Sequence, residues 1–185
     1  MLILLSDMKI LVHIRYAIII MEYVGSRNLH RLLVETPDKQ LDPALLLTAA
    51  SHVSAALAHC HARGVLHLDV KPANVLVSSQ AVFKLGDFGC SVSASGPKLG
   101  VDHSLVGTPG YQVSSYQTNV TMTFTAHSFQ APEFLRGCAA SPACDVYSLG
   151  VLLWQLETRE VPFSGQHPQA VMYQVLTPMN NAMHT

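Results

Sequence analysis

The sequence predicts an α+β fold in which helices dominate, and three observations predict it. The β-branched run Ala17-Ile18-Ile19-Ile20-Met21-Glu22-Tyr23, bounded by Gly25, reads as a buried strand. Residues 67–89, HLDVKPANVLVSSQAVFKLGDFG, read as two polar loops joined by a short strand hairpin that includes Val75-Leu76-Val77. Two long apolar stretches, 42–60 and 143–158, carry helical signals.

The amino end, MLILLSDMKILVHIRYAIIIMEYV, is apolar but interrupted by Asp7, Lys9, Arg15 and Glu22. No run there approaches the roughly 20 apolar residues of a membrane span. No basic residue precedes it as in a signal peptide. Buried strands are the expectation.

Asn28 suits the N-cap of a short helix, Leu29 to Leu33. The next helix is capped by Asp42, with Pro43 in its first turn. Leu46, Ala50, Val53, Leu57 and Cys60 follow at four- and three-residue spacing and predict one apolar face. Gly64 ends it. His59-Cys60-His61 is not a metal site on this reading, because adjacent helical side chains point in different directions. Residues 91–130 are rich in Ser, Thr, Gly and Gln without a strong period, and read as loop. Ala143 to Thr158 is apolar almost all round (Val146, Leu149, Leu152, Leu153, Trp154, Leu156), which predicts a buried central helix. Pro162-Phe163-Ser164-Gly165 makes a turn, and Pro168 opens a last helix, about Gln169 to Leu176.

At 185 residues the chain is one domain's worth, and its 49% apolar content is ample for a core. A net charge of −1 gives no basic field for nucleic acid or for an anionic membrane. Cys60, Cys90, Cys138 and Cys144 form no CxxC pair, which predicts free thiols, a reducing compartment and a cytoplasmic location.

The chemistry concentrates in 67–89. Asp69, Lys71, Asn74 and Asp87 place an acid, a cation and two hard-oxygen ligands on adjacent loops. That set suits phosphoryl transfer from a metal-bound nucleotide, where a protein mainly positions groups and neutralises charge. Mg²⁺ favours carboxylates plus substrate phosphates over an all-protein cage, which matches so sparse a ligand set.

The order H-x-D-x-K-x-x-N followed by D-F-G resembles the catalytic and metal loops of the eukaryotic protein kinases. HLD, KPAN and DFGCS together look most like the Mos family of Ser/Thr kinases. The resemblance runs from about Ile18 to Leu176. It implies a protein-kinase-like fold, mainly the helical large lobe (29–185), with a hinge (22–28) and a small-lobe remnant (1–21).

It also implies roles. Asp69 accepts or orients the proton of a substrate hydroxyl, and Lys71 faces the transferring phosphoryl group. Asn74 and Asp87 hold Mg²⁺ on ATP. Adenine bonds backbone groups of Glu22 and Val24, with Met21 as gatekeeper and Leu76 beneath. Asn28 lies where many kinases place an acid on the ribose, and is equally a helix cap. His67 and Phe88 stack as structural support. Thr108 (in Gly107-Thr108-Pro109) and Glu133 (in Ala131-Pro132-Glu133) mark the ends of the substrate-binding segment. Asp145 is the buried acid that props the catalytic loop. The implied partner is a protein substrate, such as a mitogen-activated kinase kinase, in oocyte meiosis.

Five departures stand out. Leu68 replaces the commoner Arg, and leucine makes no charge-assisted bond to a loop phosphate. No GxGxxG precedes the hinge. Lys9 is not the phosphate-anchoring lysine, since the eleven residues before Met21 leave no room for a helix of roughly ten plus a strand. Glu133 lacks its downstream Arg, because nothing basic follows Arg159. Finally, Val113 to Gln130 separates GTPGYQ from APEFLRG, which joined directly restore the family spacing. Valine codons begin GT and one glutamine codon is CAG, so the segment reads as a retained intron or as a loop insertion.

Two function classes follow: a Ser/Thr kinase, or an impaired kinase-like fragment that acts by binding. The motifs favour the former; the latter stays as the alternative because a missing phosphate loop and its lysine would cost most of the rate, since preorganised charge supplies most of phosphoryl transfer. A small-molecule phosphotransferase also uses HxD and Asn, but the DFG, GTP and APE segments argue against it.

Overall fold

The computed structural model describes residues 9–13, 16–36, 40–95, 129–167, 170 and 173–175. It opens on an antiparallel hairpin, β1 (Lys9–His13) with β2 (Tyr16–Ile20), in which Lys9 faces Ile20 and His13 faces Tyr16. Only residues 14 and 15 join the strands, so no helix stands between Lys9 and the hinge. The strand expected over 17–23 ends at Ile20, and Met21 to Ser26 form an irregular connection.

A second sheet is built as β3 (Arg27–Asn28), β5 (Val75–Val77) and β6 (Phe83–Leu85), all antiparallel, in the order β3-β5-β6. Alternation along β6 turns Phe83 and Leu85 into the core, 1% and 0% exposed, and Lys84 to the opposite face. A third pair, β4 (Val65–Leu66) with β7 (Val92–Ser93), brackets the catalytic loop and the segment after DFG.

Helix α1 runs Leu29–Glu35, two residues longer than expected. Helix α2 runs Pro43–His61; Asp42 accepts the Ala44 N–H at 2.9 Å, and Gly64, at φ +68°, turns the chain after the helix. Its buried face holds Val53, Leu57 and Cys60 as expected, but also Ala49 and Ala56, while Leu46 and Ala50 lie at its margin. Small residues let the neighbouring elements approach on that side. By length and composition alone α2 is long and apolar enough to cross a membrane; here it packs on β6 and on α4 (Pro142–Thr158).

The main core joins α1, α2, β5, β6 and α4 through Leu29, Val53, Leu57, Val75, Phe83, Leu152 and Leu156. Helix α4 departs from the expectation of burial all round. Val146 and Trp154 are 60% and 42% exposed, because the described elements cover only the face that carries Cys144, Asp145, Ser148, Leu152 and Leu156. Arg159, at φ +67°, ends α4, and its Nη2 donates to the carbonyls of Leu33 and Thr36 and to Thr36 Oγ1, tying α4 to the end of α1. Residues 170 and 173–175 are helical, within the last helix expected.

Of the segment Val113 to Gln130, only Phe129 and Gln130 lie among the described residues. Phe129 is in the main core, 5% exposed, and its carbonyl accepts Ser148 Oγ–H at 2.6 Å. The flanks repeat an aromatic–glutamine pair, Tyr111-Gln112 and Phe129-Gln130, each at the same spacing from the junction with Ala131. Deletion of 113–130 is therefore expected to keep the fold, with Tyr111 in the slot of Phe129. Thermal melting checks it: a cooperative transition is expected for the deletion, and its loss on further Tyr111→Ala substitution.

Candidate active site

The 67–74 loop is held from below. Asp145, fully buried near the start of α4, accepts the His67 N–H at 2.9 Å on Oδ2 and the Leu68 N–H at 2.7 Å on Oδ1. His61, on the last turn of α2, donates Nε2–H to Oδ2 at 2.8 Å. Leu68 adopts φ +59°, a left-handed conformation unfavourable for a branched residue, so two helices, α2 and α4, converge to hold a strained turn. Its side chain is 5% exposed and packs with Leu66, Ala131, Phe134 and Cys144. The position expected to be deaf to a loop phosphate is filled by packing instead.

Above this base, a 3₁₀ turn (Pro72–Asn74) folds the loop back on itself. Asn74 Nδ2 donates to the Asp69 carbonyl at 2.8 Å and to Asp69 Oδ2 at 2.7 Å. Both partners are acceptors, so the amide orientation is fixed and Oδ1 is the atom left for a cation. Lys71 Nζ donates to Asp69 Oδ1 at 2.9 Å and stands 2.8 Å from Oδ2. Asp69, Lys71 and Asn74 thus form one cluster, as the spacing predicted.

Asp87 joins them through the backbone. The Gly86 N–H donates to the Asn74 carbonyl at 2.9 Å, which sets the DFG turn beside the catalytic loop. Asp87 itself is exposed, at φ +58°, and its Oδ1 accepts the Gly89 N–H at 3.3 Å. A carboxylate and an amide oxygen on neighbouring turns, with a lysine beside them, fit a Mg²⁺ ion that takes its remaining ligands from phosphate and water.

His67 locks the two loops together. It is fully buried, and its ring meets Phe88 edge-on with centroids 4.8 Å apart. Nε2–H donates to the Gly86 carbonyl at 3.0 Å, and Nδ1 accepts the Asp69 N–H at 3.3 Å. Those bonds need the neutral Nε2–H tautomer. Burial pushes the His67 pKa down from the ordinary 6.5, against the opposing pull of the Gly86 carbonyl and of Asp145, Asp69 and Asp87. A histidine with a depressed folded pKa contributes stability that is fully present above about pH 6.5 and is lost as pH falls through the lower folded value. The melting temperature is therefore expected to fall between about pH 7 and pH 5, and to fall less in His67→Gln. An equal slope in both proteins refutes that assignment.

The remaining residues are more dispersed. Met21 is exposed, and Glu22 and Val24 are half-buried, on the connection between β2 and β3. Leu76 is half-buried at the middle of the three-stranded sheet, paired with Asn28 on one side and Lys84 on the other. Asn28 has both side-chain atoms engaged: Oδ1 accepts the Arg31 N–H at 2.8 Å as the α1 cap, and Nδ2 donates to the Ala73 carbonyl at 3.1 Å. Glu133 lies in α3 (Pro132–Leu135), away from the cluster, with Cys144 Sγ 3.9 Å from Oε1. Burial pushes the Cys144 thiol pKa up, and Glu133 adds to the shift. Thr108 lies outside the described residues. All four cysteines are free.

Two participants were not legible in the sequence. His61 belongs to the sequence run His59-Cys60-His61, which points to no partner; it bonds Asp145, while His59 Nδ1 meets Arg63 Nη1 at 2.8 Å, so the two histidines diverge. Lys84, three residues before Asp87, donates to both oxygens of Glu22.

Comparison with known proteins agrees with this geometry. The family described as protein kinase domain matches residues 7–185. The serine/threonine-protein kinase mos of Patiria pectinifera is 42% identical over 161 residues, covering 86% of this chain and 41% of that protein. The proto-oncogene serine/threonine-protein kinase mos of Mus musculus is 39% identical over 166 residues, covering 85% and 43%. The transforming protein mos of Moloney murine sarcoma virus is 40% identical over 166 residues, covering 85% and 40%. The chain thus spans about two fifths of the length of these curated relatives. With its catalytic loop, DFG turn and buried supporting aspartate assembled as one site, and a family match along nearly its whole length, this chain belongs to the protein kinase domain family.

Proposed function

We propose that this chain carries the catalytic half of a Mos-like serine/threonine kinase, which transfers the γ-phosphate of ATP to Ser or Thr hydroxyls of a protein. The observation that carries it is the Asp69–Lys71–Asn74 cluster with Asp87 set beside it through Gly86. Asp69, 12% exposed at its side chain, presents a carboxylate whose oxygens are oriented by Lys71 and Asn74. A substrate hydroxyl placed against it gives up its proton as the new O–P bond forms. Lys71 is near enough to share its charge with a transferring phosphoryl group. Asn74 Oδ1 and the Asp87 carboxylate would hold Mg²⁺, which neutralises phosphate charge when bound.

The base of ATP would lie against Leu76, bonded to the backbone of Glu22 and Val24 beside Met21. Leu68, packed among apolar side chains, supports a kinase that works without a loop phosphate paired at that position. The free thiols suit a reducing compartment, and on the proposed reading the enzyme is cytoplasmic, with a mitogen-activated kinase kinase as its protein substrate. The test is transfer of labelled phosphate from Mg·ATP to a generic Ser/Thr protein substrate, with Asp69→Asn as the comparison. Phosphoserine or phosphothreonine is expected from the parent chain; equal labelling by both proteins refutes the reading.

A further inference from the structure

Lys84 is 14% exposed at its side chain, yet its ammonium is not left in the sheet. It donates to Glu22 Oε1 at 2.7 Å and to Oε2 at 2.6 Å, across 62 residues of sequence. Phe83 and Leu85 on either side point into the core, so Lys84 rises from the other face of β6. Its cross-strand partner is Leu76, whose own partner on the far side is Asn28. Directly opposed residues share a face. Asn28, Leu76 and Lys84 therefore form one row across the sheet, and Glu22 at the start of the hinge connection is anchored to the end of that row.

The other end of the connection is pinned by close packing. Gly25, at φ +142°, approaches the Val77 carbonyl so closely that a Cβ would stand 3.2 Å from its oxygen. The connection from Glu22 to Gly25 is thus tied to β6 by an ion pair at one end and held against β5, next to Leu76 in sequence at Val77, by a glycine contact at the other. Exposed ion pairs rarely fix geometry, but this one is bidentate and largely withdrawn from water on the lysine side.

We propose that the Glu22–Lys84 pair is a positioning device for the nucleotide base: it sets the spacing between the hinge backbone and Leu76, and so determines affinity for the adenosine part of the nucleotide. This rests on the nucleotide reading given above. Neither side chain needs to touch the base, since both act through the backbone that Glu22 carries.

The experiment is equilibrium binding of fluorescent mant-ATP with Mg²⁺, displaced by adenosine in one series and by inorganic tripolyphosphate in the other. The proteins are the parent chain, Glu22→Gln, Lys84→Met and the exchanged pair Glu22→Lys with Lys84→Glu. Each single variant is expected to weaken adenosine competition roughly tenfold and to leave tripolyphosphate competition unchanged, with the exchange restoring adenosine affinity. Unchanged adenosine affinity in both single variants overturns the proposal and leaves the nucleotide site standing. Equal weakening of both competitors overturns it too, because the pair is then structural only. A parent chain that binds no mant-ATP refutes the nucleotide reading itself.

Discussion

Asp69→Asn is expected to lower phosphoryl transfer by about two to four orders of magnitude while leaving mant-ATP binding unchanged. The substitution keeps the size of the side chain and removes its ability to accept a proton. Asp69 touches Lys71 and Asn74 but lies apart from the hinge connection where the base is expected, so binding and chemistry separate. Asn has a single acceptor oxygen, and Lys71 and Asn74 both present donors to it, so one of those bonds is also lost. Asp69→Ala is expected to be as slow as Asp69→Asn, because what matters is the missing base. Single-turnover rates with saturating Mg·ATP decide this. A rate within a few-fold of the parent would move the proton-accepting role to another group.

What the sequence made legible was local. Asp69, Lys71 and Asn74 fall within six residues, so one turn brings them together whatever the rest of the chain does. The same holds for the Asp42 and Asn28 caps, which bond backbone two or three residues ahead. For Asn28 the sequence left two readings, and the structure shows the cap. The contacts that hold the site in place are not local. His61 and Lys84 find Asp145 and Glu22 across 84 and 62 residues. No periodicity or spacing rule links such pairs, because only the packing of α4 under the loop, and the approach of Glu22 to Lys84 on β6, creates them. The error at α4 has the same origin: an apolar surface on a helix reports what it is able to bury, and the neighbours decide which side is covered. Val146 and Trp154 face outward although their residue types predicted burial.

Asp145→Ala is expected to bring the chain close to global unfolding and to abolish catalysis with it. The carboxylate is the shared acceptor for the N–H groups of His67 and Leu68, both buried, and for His61 Nε2–H. Removing it leaves two backbone donors without partners, at about 1–3 kcal/mol each, in a site that water does not reach. Leu68 at φ +59° then lacks the bond that holds its left-handed turn. The combined loss, on the order of 2–6 kcal/mol, is a large part of the roughly 5–15 kcal/mol that stabilises a domain. Asp145→Asn keeps one acceptor and is expected to fall between the parent and Asp145→Ala. His61→Ala removes only the half-buried donor and is expected to cost less than either. Urea unfolding orders these four proteins by midpoint. The result matters for mechanism as well as stability, since the fixed orientation of Asp69 depends on a loop whose base is this carboxylate. An Asp145→Ala midpoint equal to the parent's would mean that the loop keeps its shape through the Leu68 packing and the His67–Gly86 bond alone.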